Sequence, residues 1–347
     1  MTMHRSRLWS LALGVAVVSA PAAGVCAADP MQGDSTKAPP ATTQPAAPEQ
    51  PAAPAINVEA INLRPMFVQG RTSRYEIWSH KVQDVTMRMG PNQRQASRTT
   101  QLKGEISWTV QTVRPDGSAT CVMTFEYLTL EMTDSSGDRV FIDSRHARSD
   151  NEMMHTFLRA MTGVALRMEV SPEGTPLAVS GTQGIRQKMG SLPAEAAPDD
   201  LDFIENASEL ATLPGAPETL AVGGNWAMNY QWKHEMGHLK HDAQYVLSDV
   251  QEIAGIPIAI VDQTARLQLI PDYSKLPQGG PKVDIRQLAG TYQRQVMFDL
   301  QRHDTVGSNT TSSLTVEVRI TLPNNQVITR TIVESAQEQV LRIAEDR

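Results

Sequence analysis

Strict alternation between aliphatic and polar residues is the feature of this sequence that most restricts its fold. Between Leu314 and Leu322 every second residue is Leu, Val or Ile, and the residues between them are Thr, Glu or Arg. Successive side chains of a strand point to opposite faces, so this pattern predicts a strand with one buried and one solvated face. Turn residues follow from Pro323 to Gln326, and a β-rich run from Val327 to Val333 completes a predicted hairpin.

The same alternation occurs in the first half of the chain. Ile106, Trp108 and Val110 alternate with polar residues, Arg114 to Gly117 supply a turn, and residues 119–132 run back as a second strand. An apolar sheet face must be covered. The sequence therefore predicts a mainly β (α+β) protein with an antiparallel curled sheet, folded as an open barrel or as paired half-barrels.

Helical signals are few and predict two or three short helices. Ser149 and Glu152 have the spacing of a capping box, apolar residues follow at helical spacing, and Gly163 ends the segment. A second helix is predicted at about residues 199–211, with acidic residues in its first turn and Pro214-Gly215 after its end. We expect these helices to cover the open side of the sheet.

Residues 1–27 have the pattern of a secretion signal. Arg5 and Arg7 precede the apolar run Leu8 to Ala20, and small residues flank a cleavage position after Ala27. Lipid attachment at Cys26 is the less favoured alternative, because the branched residue Val25 stands where a lipoprotein signal needs a smaller one. We therefore expect an exported protein, located in the periplasm or outside the cell.

Composition divides the rest of the chain into a linker and a folded domain. Residues 28–55 are rich in Pro and Ala and lack aromatic residues, which predicts a disordered, extended linker. The β-rich domain occupies residues 56–347, and no apolar run in it approaches the roughly 20 residues that span a bilayer. Its two β-rich halves, about 71–180 and 223–333, leave an internal duplication open.

Charge and cysteine content exclude two further classes of protein. The formal net charge is −7, which has the wrong sign for a nucleic-acid-binding protein. Cys121 is the one cysteine that follows the predicted signal peptide. The mature chain therefore cannot form an intramolecular disulfide, and its core has to stabilise it.

Four short runs carry a resemblance to known sequences. They are Arg114 to Ala119, Asp143-Ser144, Val170 to Gly174, and Gly223 to Trp226. With these runs the sequence resembles an uncharacterised family of secreted, β-rich bacterial envelope proteins, a domain of unknown function, over roughly residues 70 to 335. The resemblance implies the fold class and the exported location, and it implies no activity.

Residues 234–238 match the H-E-x-x-H pattern of zinc metallopeptidases. If this segment is helical, His234 and His238 lie on one face and bind zinc, and Glu235 takes a proton from the metal-bound water. This pattern supports an alternative interpretation of the protein as a zinc metallopeptidase that uses His234-Glu235-Met236-Gly237-His238.

The residues before the motif favour a hairpin instead. From Trp226 to Trp232 every second residue is large and aromatic or Met, a strand pattern that leads directly into the motif. Gly237 inside a helix would also cost about 1 kcal/mol relative to Ala. A turn at Met236-Gly237 places Trp232 opposite His241 and directs His238 to the other face. The two motif histidines would then be unable to share a metal in the manner of these peptidases.

We interpret the protein as non-enzymatic, with no catalytic residue, no cofactor and no metal. A curved sheet with an apolar face suits the binding of an apolar ligand or of a partner protein in the cell envelope, an expectation that rests on fold alone. No nucleic-acid partner is expected. The zinc peptidase remains the alternative function.

Overall fold

A computed structural model describes residues 60–147, 149, 151–189, 213–234, 236–273, 281–322 and 324–346. The predicted signal peptide (1–27), the predicted linker (28–55) and the predicted second helix (199–211) lie outside these residues. No helix in the described ranges is long and apolar enough to cross a membrane.

Twelve strands and two helices make up the described chain. In chain order they are β1 (Thr72–Met89), β2 (Asn92–Val113), β3 (Ala119–Asp134), β4 (Arg139–Asp143), α1 (Glu152–Met161), β5 (Ala165–Val170), β6 (Pro176–Ser180), α2 (Thr182–Lys188), β7 (Asn225–His234), β8 (Gly237–Ile253), β9 (Ile256–Pro271), β10 (Lys282–Asp299), β11 (Asp304–Thr321) and β12 (Val327–Asp346).

All twelve strands belong to one open antiparallel sheet. The strand order from edge to edge is β6-β5-β3-β2-β1-β12-β11-β10-β9-β8-β7, and β4 pairs with the part of β3 that β5 leaves uncovered. The first and last strands, β1 and β12, pair along the middle of the sheet. The predicted mainly β, antiparallel, open sheet with short helices is confirmed, and a single continuous sheet takes the place of two half-barrels.

The two halves of the chain run across this sheet in the same direction. Strands β7 to β12 proceed from one edge to the middle, and β1 to β6 continue from the middle to the other edge. This arrangement is compatible with an internal duplication whose two halves are related by a translation. The duplication itself stays a prediction.

Over much of the sheet the inner face is apolar and the outer face is polar. On β1, Tyr75 and Ile77 are buried while Glu76 between them is exposed. The registers of neighbouring strands extend this alternation, so that Ile77 lies beside Gly104 on β2 and beside Val340 on β12. Ser, Thr, Gln and charged residues predominate on the outer face. One face therefore packs and the other meets water, as the period of two predicts.

Two apolar cores lie on the inner face, one in each half of the chain. The helix-capped core packs inner-face residues of β1 to β5 against α1 and α2, with Met123, Leu128 and Leu166 fully buried. The second core packs β8, β9 and β10 against the segments that contain Leu63 and Leu213. The burial of apolar surface in such cores is the main favourable contribution to the free energy of folding.

The predicted hairpins and the first helix are present, with one change at the helix start. The hairpins β2–β3 and β11–β12 turn at residues 114–118 and 322–326, as predicted. Helix α1 is capped by Asn151, whose side chain accepts a hydrogen bond from the Met154 amide at 3.1 Å. The hydroxyl of Ser149 accepts from the Asn151 amide instead, so the prediction of Ser149 as the cap was wrong by two residues.

Candidate functional site

The H-E-x-x-H segment forms the tip of a hairpin. Residues 225–234 are strand β7, residues 237–253 are strand β8, and the two pair in antiparallel register up to His234 opposite Gly237. A peptidase of this type needs residues 230–241 in a helix. The backbone therefore does not place His234 and His238 one helical turn apart, and the zinc peptidase interpretation lacks its structural basis.

The tip of this hairpin lies one residue earlier than predicted. His241 is opposite Tyr230 instead of Trp232, and Leu239 is opposite Trp232. Moving the tip by one residue shifts the pairing by two residues, which leaves every side chain on its predicted face. A Cβ atom at Gly237 would clash with the carbonyl oxygen of Ile270 on β9, so the close approach of the two strands requires glycine here.

Some of the predicted motif lies outside the described structure. Glu235 is outside the described residues, and so are the side chains of Trp232, Lys233 and His234. Elsewhere in the described ranges, no three His, Cys, Asp or Glu side chains come together in a geometry that could hold a metal ion. The expectation that the protein uses no metal stays a prediction.

His241 lies buried among aromatic side chains on the inner face. Its imidazole stacks on the ring of Tyr230 at 4.8 Å between centroids and meets the edge of Tyr292 at 5.4 Å. The Tyr230 hydroxyl accepts a hydrogen bond of 2.6 Å from the Gln263 amide. Burial lowers the pKa of His241 to about 3, so the ring is neutral at physiological pH.

A band of polar side chains crosses the inner face at this level of the sheet. We call it the polar band. It consists of Lys81, Gln83, His241, Gln263, Arg294, Glu334 and Glu338. Buried polar groups are costly unless they are hydrogen-bonded or paired, so the five members of the band that are buried, Gln83, His241, Gln263, Arg294 and Glu334, are unusual for packing alone.

Glu334 is the best-defined centre of the polar band. Its carboxylate accepts a hydrogen bond of 2.6 Å from the Gln83 amide and lies 2.9 Å from the ammonium group of Lys81. The Lys81 side chain is 44% exposed, whereas that of Glu334 is only 10% exposed. Lys81 therefore links the buried carboxylate to the surface.

Arg294 and Glu338 carry the second pair of opposite charges in the band. They lie on β10 and β12, and each is opposite Thr310 of the intervening strand β11. Burial raises the pKa of Glu338, while the charges of Arg294 and Lys81 lower it. Arg294 itself is 4% exposed. The band thus holds ionisable groups where water is largely excluded.

Partly buried apolar side chains line one end of the inner face. They lie where the sheet carries the β1–β2, β7–β8 and β11–β12 turns, and we call them the apolar rim. The rim consists of Val85, Met87, Leu239, Val283, Ile285, Val318, Ile320 and Ile328. A buried row that includes Leu269, Val316 and Ile332 connects the rim with the polar band.

An ion cluster at the opposite end of the sheet has a structural role. The guanidinium of Arg342 lies 2.5 Å from a carboxylate oxygen of Asp304 and 3.2 Å from one of Asp299. Asp299 also accepts hydrogen bonds from the backbone amides of residues 301 and 302. These contacts tie the β10–β11 turn to β12.

Comparison with known proteins gives a family without a function. Residues 116–209 match the model described as a family of unknown function (DUF6263). The chain resembles an uncharacterised family, as predicted. No curated protein matches the sequence.

Solved structures with a detectable likeness are distant. A lipovitellin structure aligns with a TM-score of 0.47 and 10% identity over 81% of this chain, which spans only 26% of the lipovitellin chain. A DUF1329 family protein from Desulfovibrio piger aligns with a TM-score of 0.12 and 10% identity, over 75% of this chain and 83% of its own. An outer membrane channel from Pseudomonas putida aligns with a TM-score of 0.21 and 8% identity, over 79% of this chain and 97% of its own. None of the three informs the function of this chain.

Sequence reasoning missed most of the polar band. Lys81, Gln83 and Glu334 occupy inner-face positions in runs where charged and polar residues stand on both faces, so the alternation disappears from the sequence. The predicted hairpin placed His241 on the same face as the aromatic residues, but it did not indicate that His241 is fully buried. Its place in the alternating series Leu239, His241, Ala243 was the signal that could have revealed this burial.

Proposed function

We propose that this protein is a non-enzymatic, exported binding protein whose inner sheet face holds a lipid-like ligand. In this proposal the apolar part of the ligand packs on the apolar rim, and its polar end meets the polar band through Lys81. The observation that carries the proposal is the set of partly buried apolar side chains at one end of the inner face, adjacent to buried polar groups.

Surface chemistry supports a ligand on the inner face. Contiguous apolar side chains that reach the surface mark binding sites more often than isolated ones do. Binding sites for small molecules combine an apolar lining with a few polar groups that fix orientation. The rim and the polar band have this composition, whereas Ser, Thr, Gln and charged side chains predominate on the outer face.

Exported location is the second part of the proposal, and it rests on the sequence of residues 1–27. The expected result is a mature chain that begins at Ala28 and is recovered from the periplasmic or extracellular fraction. Mass measurement of the purified protein checks the cleavage position. A lipid-modified Cys26 or an uncleaved cytoplasmic chain would contradict it.

Native mass spectrometry tests the ligand directly. We expect protein purified from its own cell envelope to carry a bound lipid. After lipid removal, it should bind oleate or monoolein in a fluorescence displacement assay. Failure to co-purify a lipid, combined with no binding of either probe, would exclude the proposal.

Two matched valine variants locate the binding surface. Val318→Asp places a charge on the apolar rim, and Val333→Asp places the same charge on the outer face, where Val333 is 39% exposed. A buried charge opposes an apolar ligand. We expect Val318→Asp to weaken oleate binding at least about tenfold and Val333→Asp to leave it unchanged. Equal effects of the two variants would place the ligand elsewhere.

A further inference from the structure

A tryptophan stands on the polar outer face of the sheet. Among the tryptophans whose side chains are described, Trp108 and Trp226 belong to or pack on the apolar cores, whereas Trp78 lies on the outer side of β1 beside the exposed Glu76. The His80 ring follows on the same face, with its plane only 8° from that of the indole and its centroid 6.0 Å away. Core packing does not explain an aromatic pair in this position.

A depression of about 270 Å³ lies beside the indole ring. It is lined by Glu76, Trp78, Lys103, Gln339 and Leu341. Lys103 and Gln339 are the direct neighbours of Trp78 on β2 and β12, so polar side chains flank the ring on both sides. The volume is just below the roughly 300–1,000 Å³ of pockets for drug-sized ligands, and it suits a single six-membered ring with its substituents.

The side chains around Trp78 restrict the charge of a ligand. Glu76 and Lys103 carry opposite charges, so the two side chains together favour neither an anion nor a cation. Neither side chain makes an ion pair with another described residue, nor does the Gln339 amide make a hydrogen bond with one. Their donors and acceptors are therefore available to a neutral ligand that carries several hydroxyl groups.

We propose that Trp78 and its neighbours form a binding site for a pyranose ring of a glycan. A gluco-configured pyranose has a flat face of C–H groups, which packs on the face of an indole, and hydroxyl groups around its edge. The indole supplies an apolar surface with a negative π-face, and Glu76, Lys103 and Gln339 reach the ring edge. The site lies on the outer face and is separate from the apolar rim on the inner face.

The scaffold of this site is preorganised. Trp78 lies on β1, near the middle of the sheet. Strand β1 pairs with β2 on one side and with β12 on the other along its whole length. Sites built on strands hold their side chains more precisely than sites on loops.

Fluorine NMR of protein labelled with fluorotryptophan tests the proposal at one residue. The Trp78 resonance is assigned by its loss in Trp78→Phe. Chitotetraose, cellotetraose and maltotetraose are then titrated into the full chain to millimolar concentrations. We expect at least one of them to shift the Trp78 resonance in a saturable manner and to leave the Trp108 and Trp226 resonances in place. No shift with any of the three oligosaccharides would overturn the proposal.

Three substitutions separate a glycan site from a nonspecific aromatic surface. Calorimetry should show that Trp78→Ala abolishes oligosaccharide binding and that Gln339→Ala weakens it about tenfold. Phe141→Ala, which removes a 53% exposed aromatic ring elsewhere on the sheet, should leave binding unchanged. Binding that survives in Trp78→Ala, or that is lost equally in Phe141→Ala, would contradict the assignment. Oleate binding should be unaffected by Trp78→Ala, so failure of either proposal is recognised independently of the other.

Discussion

The helix-capped core and the polar band belong to one sheet but are built on opposite principles. In the helix-capped core, the inner faces of β2, β3 and β5 carry only apolar residues at their most buried positions, and α1 and α2 cover them. In the polar band, the inner faces of β1, β8, β10 and β12 bury Gln83, His241, Arg294 and Glu334.

This difference suggests different roles for the two regions: the helix-capped core stabilises the fold, and the polar band is the region where a ligand is expected. Apolar packing stabilises a fold, and its residues need no other explanation. Buried ionisable groups reduce stability unless they are fully paired, so natural proteins keep them mainly where they have a role. The polar band is for this reason a better place to look for a ligand than the helix-capped core.

The largest effect is expected from truncation in the helix-capped core. Leu166 is fully buried, whereas Leu177 on the neighbouring strand β6 is 65% exposed. Leu166→Ala should lower the free energy of unfolding by about 2–5 kcal/mol, because it removes buried methyl groups and leaves a cavity. Leu177→Ala should change it by less than about 0.5 kcal/mol. Urea denaturation measures both, and a Leu166→Ala cost near zero would show that this core does not stabilise the fold.

A smaller loss is expected when the polar band loses its central carboxylate. Glu334→Val removes the acceptor of Gln83 and the partner of Lys81, which should cost about 1–3 kcal/mol. Adding Gln83→Leu should recover part of this loss, because the amide no longer needs a partner. Glu131→Val serves as the control, since its partner Arg139 is 63% exposed and such pairs contribute about 0–1 kcal/mol. A double variant that is less stable than Glu334→Val would contradict this account.

Acid should weaken the polar band through His241. Its pKa is lowered from 6.5 to about 3 in the folded protein. Between these two values the unfolded chain binds a proton that the folded chain does not, so stability falls by about 1.4 kcal/mol per pH unit as the pH decreases. Above pH 6.5 this contribution is absent.

The variant His241→Phe should lose this pH dependence. Unfolding free energies of the native protein and the variant are compared at pH 8, pH 7 and pH 5. Their difference should be constant between pH 8 and pH 7, and at pH 5 it should move by about 2 kcal/mol in favour of the variant. Parallel pH profiles would mean that His241 is accessible to protons in the folded state.

The smallest effect concerns the helix that covers the apolar core. Asn151→Ala removes the side-chain acceptor of the Met154 amide, and we expect a loss of about 1 kcal/mol. Ser149→Ala removes a longer hydrogen bond of 3.3 Å outside the helix and should cost less. If Ser149→Ala lowers the stability more than Asn151→Ala does, Ser149 would be the helix cap that the capping-box spacing predicted.

Local alternation was enough to predict the sheet, but not the contents of its inner face. The hairpins β2–β3, β7–β8 and β11–β12 were readable because their turns and two-residue periods are local properties of the chain. The helix α2 and the pairing of β1 with β12 could not be predicted in this way, because they depend on contacts between residues distant in sequence. For the candidate site, His241 and Trp226 lay on the predicted face, while Lys81, Gln83 and Glu334 required the register of the central strands.

Pairing of the first and last strands in the middle of the sheet has a consequence for how this protein folds. The partners across that seam lie more than two hundred residues apart in sequence, whereas the other neighbouring strands are close along the chain. Closing such a long loop has an entropic cost that only late, cooperative contacts can offset. Strands β1 to β6 and strands β7 to β12 can each form a meander first, and the pairing of β1 with β12 then joins the two meanders. A nascent chain that ends after β11 therefore lacks the one strand that connects its first six strands with the rest of the sheet.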